Sequence, residues 1–330
     1  MKKTARPALI LLAALAAGFG EASAAGFKDP LDQPAQVSAL AARSPLTVLA
    51  RAGTRLVAAG SRGHVLLSDD EGKTWAQAKV PVSSDLVSLS FPDAQHGWAV
   101  GHDGVILASA DGGKTWTRQF DGRQVGERGA ENSLLDVCFV DAKQGWAVGA
   151  FGQILATDDG GKTWQSLPAE RADNPKALHL YAVRSIAGSL YIVGEQGLAL
   201  KFNERSGRFE ALSLPYQGTL FGITGDAGML LVHGLRGHAL RSGDGGRNWQ
   251  EIATGLKVGL TASARSADGA WLLASQAGHV LISRDAGSSF RPVKVERAPP
   301  AAGLATLGGK GQPQGLLIVG PRGAQTLTLP

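Results

Sequence analysis

The 330-residue chain carries 33 lysines and arginines against 28 aspartates and glutamates, with 44% hydrophobic and 18% charged residues, a composition that supports a sizeable core and excludes a disordered chain. Its formal charge of +5 is too small a bias for a nucleic-acid-binding surface. A single cysteine, Cys138, excludes an intramolecular disulfide, and 45 glycines predict many tight turns.

The chain opens with Lys2, Lys3 and Arg6, an apolar run from Ala8 to Phe19, and small residues at Ala22-Ser23-Ala24. This order reads as a secretory signal over residues 1–24, cleaved after Ala24 or Ala25. The apolar run is shorter than the ~20 residues of a membrane span. No cysteine follows it to carry a lipid anchor. The mature chain, 25–330, is expected to be soluble and periplasmic or otherwise exported. Without Lys2, Lys3, Arg6 and Glu21 it keeps 30 basic and 27 acidic residues, a net charge of +3.

Beyond this point a repeat dominates. SDDEGKTW (68–75), SADGGKTW (109–116), TDDGGKTW (157–164), SGDGGRNW (242–249) and SRDAGSSF (283–290) are five copies of one eight-residue pattern. Ahead of each lies a turn ending in glycine: GSRG (60–63), GHDG (101–104), GAFG (149–152), GLRG (234–237) and SQAG (275–278). The terminal aromatic always follows the last turn glycine by 12 residues. That ruler recovers a sixth, eroded copy, FNERSGRF (202–209), 12 residues after GEQG (194–197). A seventh turn, GPRG (320–323), would place its aromatic beyond Pro330, the last residue.

Each unit reads as four short strands, seen best in LLDVCFV (134–140), GWAVGA (145–150), GQILAT (152–157) and TWQSLP (163–168). Unit lengths of 40 to 48 residues match four-stranded propeller blades. The expected fold is therefore all-β, a single seven-bladed propeller of four-stranded antiparallel blades. Because an open ring would expose unpaired edges, the N-terminal strand Gly26–Gln36 is expected to supply the missing outer strand of blade seven, with Phe27 in the vacant aromatic position.

In each box the Asp (Asp70, Asp111, Asp159, Asp244, Asp285) is expected to bind turn amides, and the aromatic (Trp75, Trp116, Trp164, Trp249, Phe290) to fill the space between strands. The Gly-Lys-Thr in three boxes lacks the upstream glycine of a phosphate loop, since Leu67, Ala108 and Ala156 stand there. The boxes also lack the final Glu of a calcium loop. No cofactor or metal is implied.

These sequences are the Asp boxes, or bacterial neuraminidase repeats. GWAVGHDGVILASADGGKTW (97–116) and GWAVGAFGQILATDDGGKTW (145–164) resemble the photosystem II stability and assembly factor family. The resemblance spans roughly 26–330 and implies an exported or lumenal seven-bladed propeller. It further implies a non-catalytic assembly or accessory role for a membrane protein complex, either a photosystem II-like complex or an envelope exporter. The departures are Glu204, Ser206 and Phe209 in the fourth box and Phe290 in the sixth blade.

Alternating strands put the boxes on one face and the glycine-ended turns with the interblade loops on the other. That second face is expected to carry Arg62, His64, His102, Asp103, Phe151, Glu195, Arg236, His238, His279 and Arg322, with Arg118, Arg123 and Arg128 in the long loop after Thr117. Extended loops on a rigid scaffold favour recognition, and arginine forks suit carboxylates. A protein-binding face centred on blades two to four follows, on a chain expected to be monomeric. The competing enzyme class is an Asp-box glycosidase or sialidase, or a carbohydrate-binding propeller. Tyr181, Tyr191 and Tyr216 are its only tyrosines, and Ala42-Arg43-Ser44-Pro45 is a poor match to the Phe/Tyr-Arg-Ile-Pro segment of sialidases.

Overall fold

A computed structural model describes residues 28–125, 132–295, 298–308 and 315–328. The signal segment and Phe27 lie outside the described residues, as does Arg128. Seven antiparallel sheets follow one another along the chain, at 46–77, 86–120, 134–166, 180–211, 220–252, 260–292 and 303–328. The first six have four strands in sequential order and the seventh has three. Helical turns among the described residues span three or four residues each.

Blade three shows how the sequence builds this unit. Its strands run Leu134–Phe139, Gly145–Gly149, Ile154–Thr157 and Gln165–Ser166, within two residues of the expected starts. Leu134, Val137 and Phe139 are buried, as are Ala147, Val148, Ile154 and Leu155. Both faces of each blade are covered by its neighbours, so its second strand is buried along nearly its whole length instead of alternating. The core is thus a ring of clusters, each shared by adjacent blades.

The glycine-ended turns have a common backbone. Arg62, Asp103, Phe151, Gln196 and Arg236 stand at φ between 53 and 59°, a left-handed conformation that is uncommon for side-chain-bearing residues. The following glycine packs against the next interblade loop. A Cβ on Gly63 would lie 2.2 Å from the Val82 carbonyl, and one on Gly237 would lie 2.2 Å from that of Leu256. No side chain fits there.

Ring closure differs from the expectation. Among the described residues blade seven has three strands, the last at Gly323–Thr328, and residues 28–43 add no strand to it. They form a strap across the loop face instead. Near blade two, Asp32 pairs with Arg118 and Arg123, and the Pro30 carbonyl accepts from Ser83 N. At blade one, Ala35 N donates to Val80 O and Gln77 bonds to both Ser38 N and Gln36 O. Ala41–Arg43 then packs by the Gly323 turn of blade seven. The physical reason is burial and charge: Leu31 finds a core pocket beside Val80 and Val82, and three acidic and basic side chains clamp it. Blade one already owns its outer strand, Ala76–Gln77, and joins blade seven by side-chain packing of Leu49 with Leu307, Leu317 and Ala324.

Candidate functional site

The five boxes are closed systems of hydrogen bonds. Asp70 Oδ1 accepts from Thr74 N at 2.9 Å, and Oδ2 from Thr74 Oγ1 at 2.6 Å. Ser68 Oγ donates to the same carboxylate at 2.8 Å and accepts from Gly72 N. Asp111, Asp159, Asp244 and Asp285 repeat the pattern. The Thr74 hydroxyl and amide hold the Asp70 carboxyl down to about 2, and the Thr163 amide and hydroxyl do the same to Asp159. Such carboxylates stay ionised and occupied, so they serve as turn locks, not as acids or bases.

The loop face holds the residues expected for partner binding, in three conditions. Arg62, His102, Phe151, Arg236, His279 and Arg322 are exposed, with Phe151 at 62% and its ring 4.9 Å from that of His179. Glu195 and His238 are half-buried and engaged. Glu195 Oε2 accepts from His179 N at 2.9 Å, while His238 stacks 4.4 Å from Tyr216 and bonds to Glu251 at 2.5 Å. His64 and Arg123 correct the expectation. His64 is only 5% exposed, and burial lowers its pKa. Arg123 is forked between Asp121 and Asp32, whose carboxylates raise its pKa further. Both belong to the strap's anchorage, while His102 and Phe151 keep exposed side chains on blades two and three. Arg236, His279, Arg322 and Arg62 stand on blades five, six, seven and one, which are neighbours around the ring.

The inner strands of all seven blades line a central channel with a cavity of about 360 Å³. Here lies a cluster that sequence reasoning missed. Asp136, 3% exposed, accepts from Ser88 Oγ at 2.5 Å, from Val183 N at 2.7 Å and from Arg184 Nη1. It ties blades two, three and four together at their inner edges. The signal was a charge inside each of two apolar strands, LLDVCF and LYAVRSI. His233 Nδ1–H donates to the Leu260 carbonyl, 2.9 Å away, and burial pushes its pKa down to about 4. A buried imidazole of this kind is neutral, with Nδ1–H toward Leu260.

The residues weighed for glycosidase chemistry have structural partners. Tyr191 is buried, Tyr216 OH donates to Leu235 O, and Tyr181 packs edge-on to Phe221. Asp103 accepts from Ser84 Oγ. Among the described residues no group of three His, Cys, Asp or Glu side chains is placed to hold a metal.

The sheets together define an all-β, seven-bladed propeller. The family model described as photosynthesis system II assembly factor YCF48 matches residues 67–126 and 124–299, and the chain belongs to that family. No curated protein matches it. Among solved structures it is similar to YCF48 bound to D1 peptide, at 18% identity and a TM-score of 0.66, covering 90% of this chain and 96% of that one. YCF48 from Cyanidioschyzon merolae matches equally, at 18% identity and 0.66, over 90% and 98%. The WD40 propeller domain of Doa1 reaches 0.66 at 10% identity, over 91% and 96%, so these likenesses carry the fold.

Proposed function

We propose that this propeller is exported by its N-terminal signal and acts in the periplasm, or an equivalent compartment, as a non-catalytic assembly or accessory factor. Its client is a subunit of a membrane protein complex, held as a peptide segment on the loop face. The observation that carries this reading is the arc of Arg236, His279, Arg322 and Arg62, exposed on adjacent blades of a chain in the YCF48 family. Two of its arginines, Arg62 and Arg236, sit at the left-handed turn position, and both are exposed. Guanidinium forks on a rigid scaffold favour acidic or carboxylate-terminated segments. The solved YCF48 holds a D1 peptide, and a peptide of this chain's own client is the analogous ligand.

The test is affinity purification of the tagged protein from native envelopes. Replacing Arg62, Arg236 and Arg322 together by Glu should abolish recovery of the membrane partner while leaving the melting temperature within a few degrees. Unchanged recovery by the triple variant would overturn the loop-face assignment.

A further inference from the structure

Each Asp box folds over the blade before it. The box glycines of blades one, two, three, five and six lie against Leu317, Leu67, Gln119, Leu212 and Leu231 of the preceding blade. The box of blade three also completes the cover on Trp98 in blade two. Phe139 stacks on this indole, with ring centroids 3.5 Å apart and planes within 7°, and Trp164 meets Phe139 edge-on at 5.8 Å. The Trp98 indole N–H lies 3.3 Å from the Gly160 carbonyl and 3.2 Å from Gln119 Oε1. Trp98 is 3% exposed.

Trp146 occupies the same place in blade three. Both indoles sit second in a Gly-Trp-Ala-Val-Gly strand, paired with Ala108 and Ala156 respectively. The cover is missing. Phe139 pairs with Gly145, and the corresponding pair in blade four is Ser185 with Leu190. Arg205 and Ser206 stand where Gly160 and Gly161 would be, and the strands there stay paired out to Asn203 and Arg208. The hairpin tip meets the segment after blade three instead, where the Gly207 carbonyl accepts from Arg171 Nη1 at 3.0 Å. Trp146 is left half-buried, and among the described residues no aromatic ring pairs with it. It lines a cavity of about 240 Å³ with Ala156, Asp158 and Gln165, and a second of about 910 Å³ with Leu190 and Phe202. The two share Gln144 and Trp146.

We propose that the cleft over Trp146 is a docking site for an aromatic side chain on a peptide segment of a partner protein, which stacks on the part of the indole that Leu190 leaves open. The neighbouring blade shows the chemistry that fits: a flat ring stacked on the indole and a backbone carbonyl for its N–H. Offset or stacked aromatic pairs are favourable beyond their burial, and one aromatic side chain can anchor a segment whose backbone meets the polar groups around it. Leu190, Phe202 and Trp146 offer apolar contacts to the ring, while Gln144, Asn203 and Arg205 around them can pair with the backbone groups of the peptide. The cleft opens on the box face, away from the exposed arginines, and stands independently of the loop-face reading.

The probe is a blocked Gly-Gly-Phe-Gly-Gly peptide titrated to several millimolar into the ¹⁵N-labelled full chain, with the alanine analogue and chitotriose in parallel. The phenylalanine peptide should move the Trp146 indole N–H resonance and leave that of Trp98 in place. Trp146→Ala should weaken binding by about tenfold. The double change Ser185→Phe with Leu190→Gly, which rebuilds the internal cover, should abolish it in a folded protein. Replacing Arg62, Arg236 and Arg322 by Glu should leave it unchanged, which separates this site from the loop face. No shift with the phenylalanine peptide, an equal shift with the alanine peptide, or a larger one with chitotriose would each overturn the proposal.

Discussion

The clefts between blades two and three and between blades three and four begin from the same five residues, yet one is sealed and the other open. Trp98 is roofed by Phe139 and by the blade-three box, whereas Trp146 faces Ser185 and a hairpin with no box. The strand that presents the indole does not decide its burial. The next blade does, through one aromatic position on its inner strand and one loop. An Asp box is therefore a lid on its neighbour as much as a lock on its own hairpin, and losing one exposes the blade before it.

The sharpest test of this asymmetry is truncation of the two indoles. Trp98→Ala removes a fully packed ring and its stack, and should cost about 3–5 kcal/mol. Trp146→Ala removes a ring already in contact with solvent and should cost about 1–2 kcal/mol. Urea midpoints for the two variants check the difference, and equal losses would break the comparison.

Loosening the lid itself comes next. Asp159→Ala should lower the melting temperature and redden the fluorescence of Trp98 as the box unfolds from it. Glu204→Ala, at the matching position of blade four, should do neither, because that hairpin covers nothing on Trp146. Acid should act on the sealed side in the same way. The Asp159 carboxyl sits near 2, below its ordinary 3.8, so its stabilisation is whole above pH 4 and is lost as pH falls towards 2. Asp159→Asn should flatten the unfolding profile within that window. His233 titrates elsewhere: its pKa of about 4 makes the folded state lose stability as pH drops from 6.5 to 4, a step that His233→Gln should remove.

Much of this was legible in the residues. The constant offset between turn glycine and box aromatic counted the blades and recovered Phe209, which is buried despite its eroded box. Contacts between distant segments were not legible. Nothing local marks Leu31 for a pocket by Val82, or Asp32 for Arg123, so the N-terminal segment read as a strand where it is a strap. The same ignorance left Arg123 and His64 on the list of free surface residues. Asp136 and Arg184 were visible as charges in apolar strands, but their meeting in the channel depends on the curvature of the ring. The open cleft was half written in the sequence, since the fourth box is visibly degenerate. That Ser185 replaces Phe139 required strand register.

The smallest effect is the most pointed, because it rebuilds one cleft in the image of the other. A Cβ at Gly145 would lie 2.4 Å from the Phe139 ring, so the aromatic needs its glycine partner. Ser185→Phe alone would collide with Leu190, whereas Ser185→Phe with Leu190→Gly supplies both halves of the sealed arrangement. The stacked pair should return about 0.5–1.5 kcal/mol, offset in part by about 0.5–1 kcal/mol for a glycine inside a strand. The double variant should then sit within about 1 kcal/mol of the parent in stability, with the Trp146 emission shifted to the blue. A large loss of stability, or an unshifted indole, would mean that the missing box, not the missing ring, keeps the cleft open. Restoring the box by Phe202→Ser, Glu204→Asp, Ser206→Gly and Arg208→Thr would then be the change that closes it.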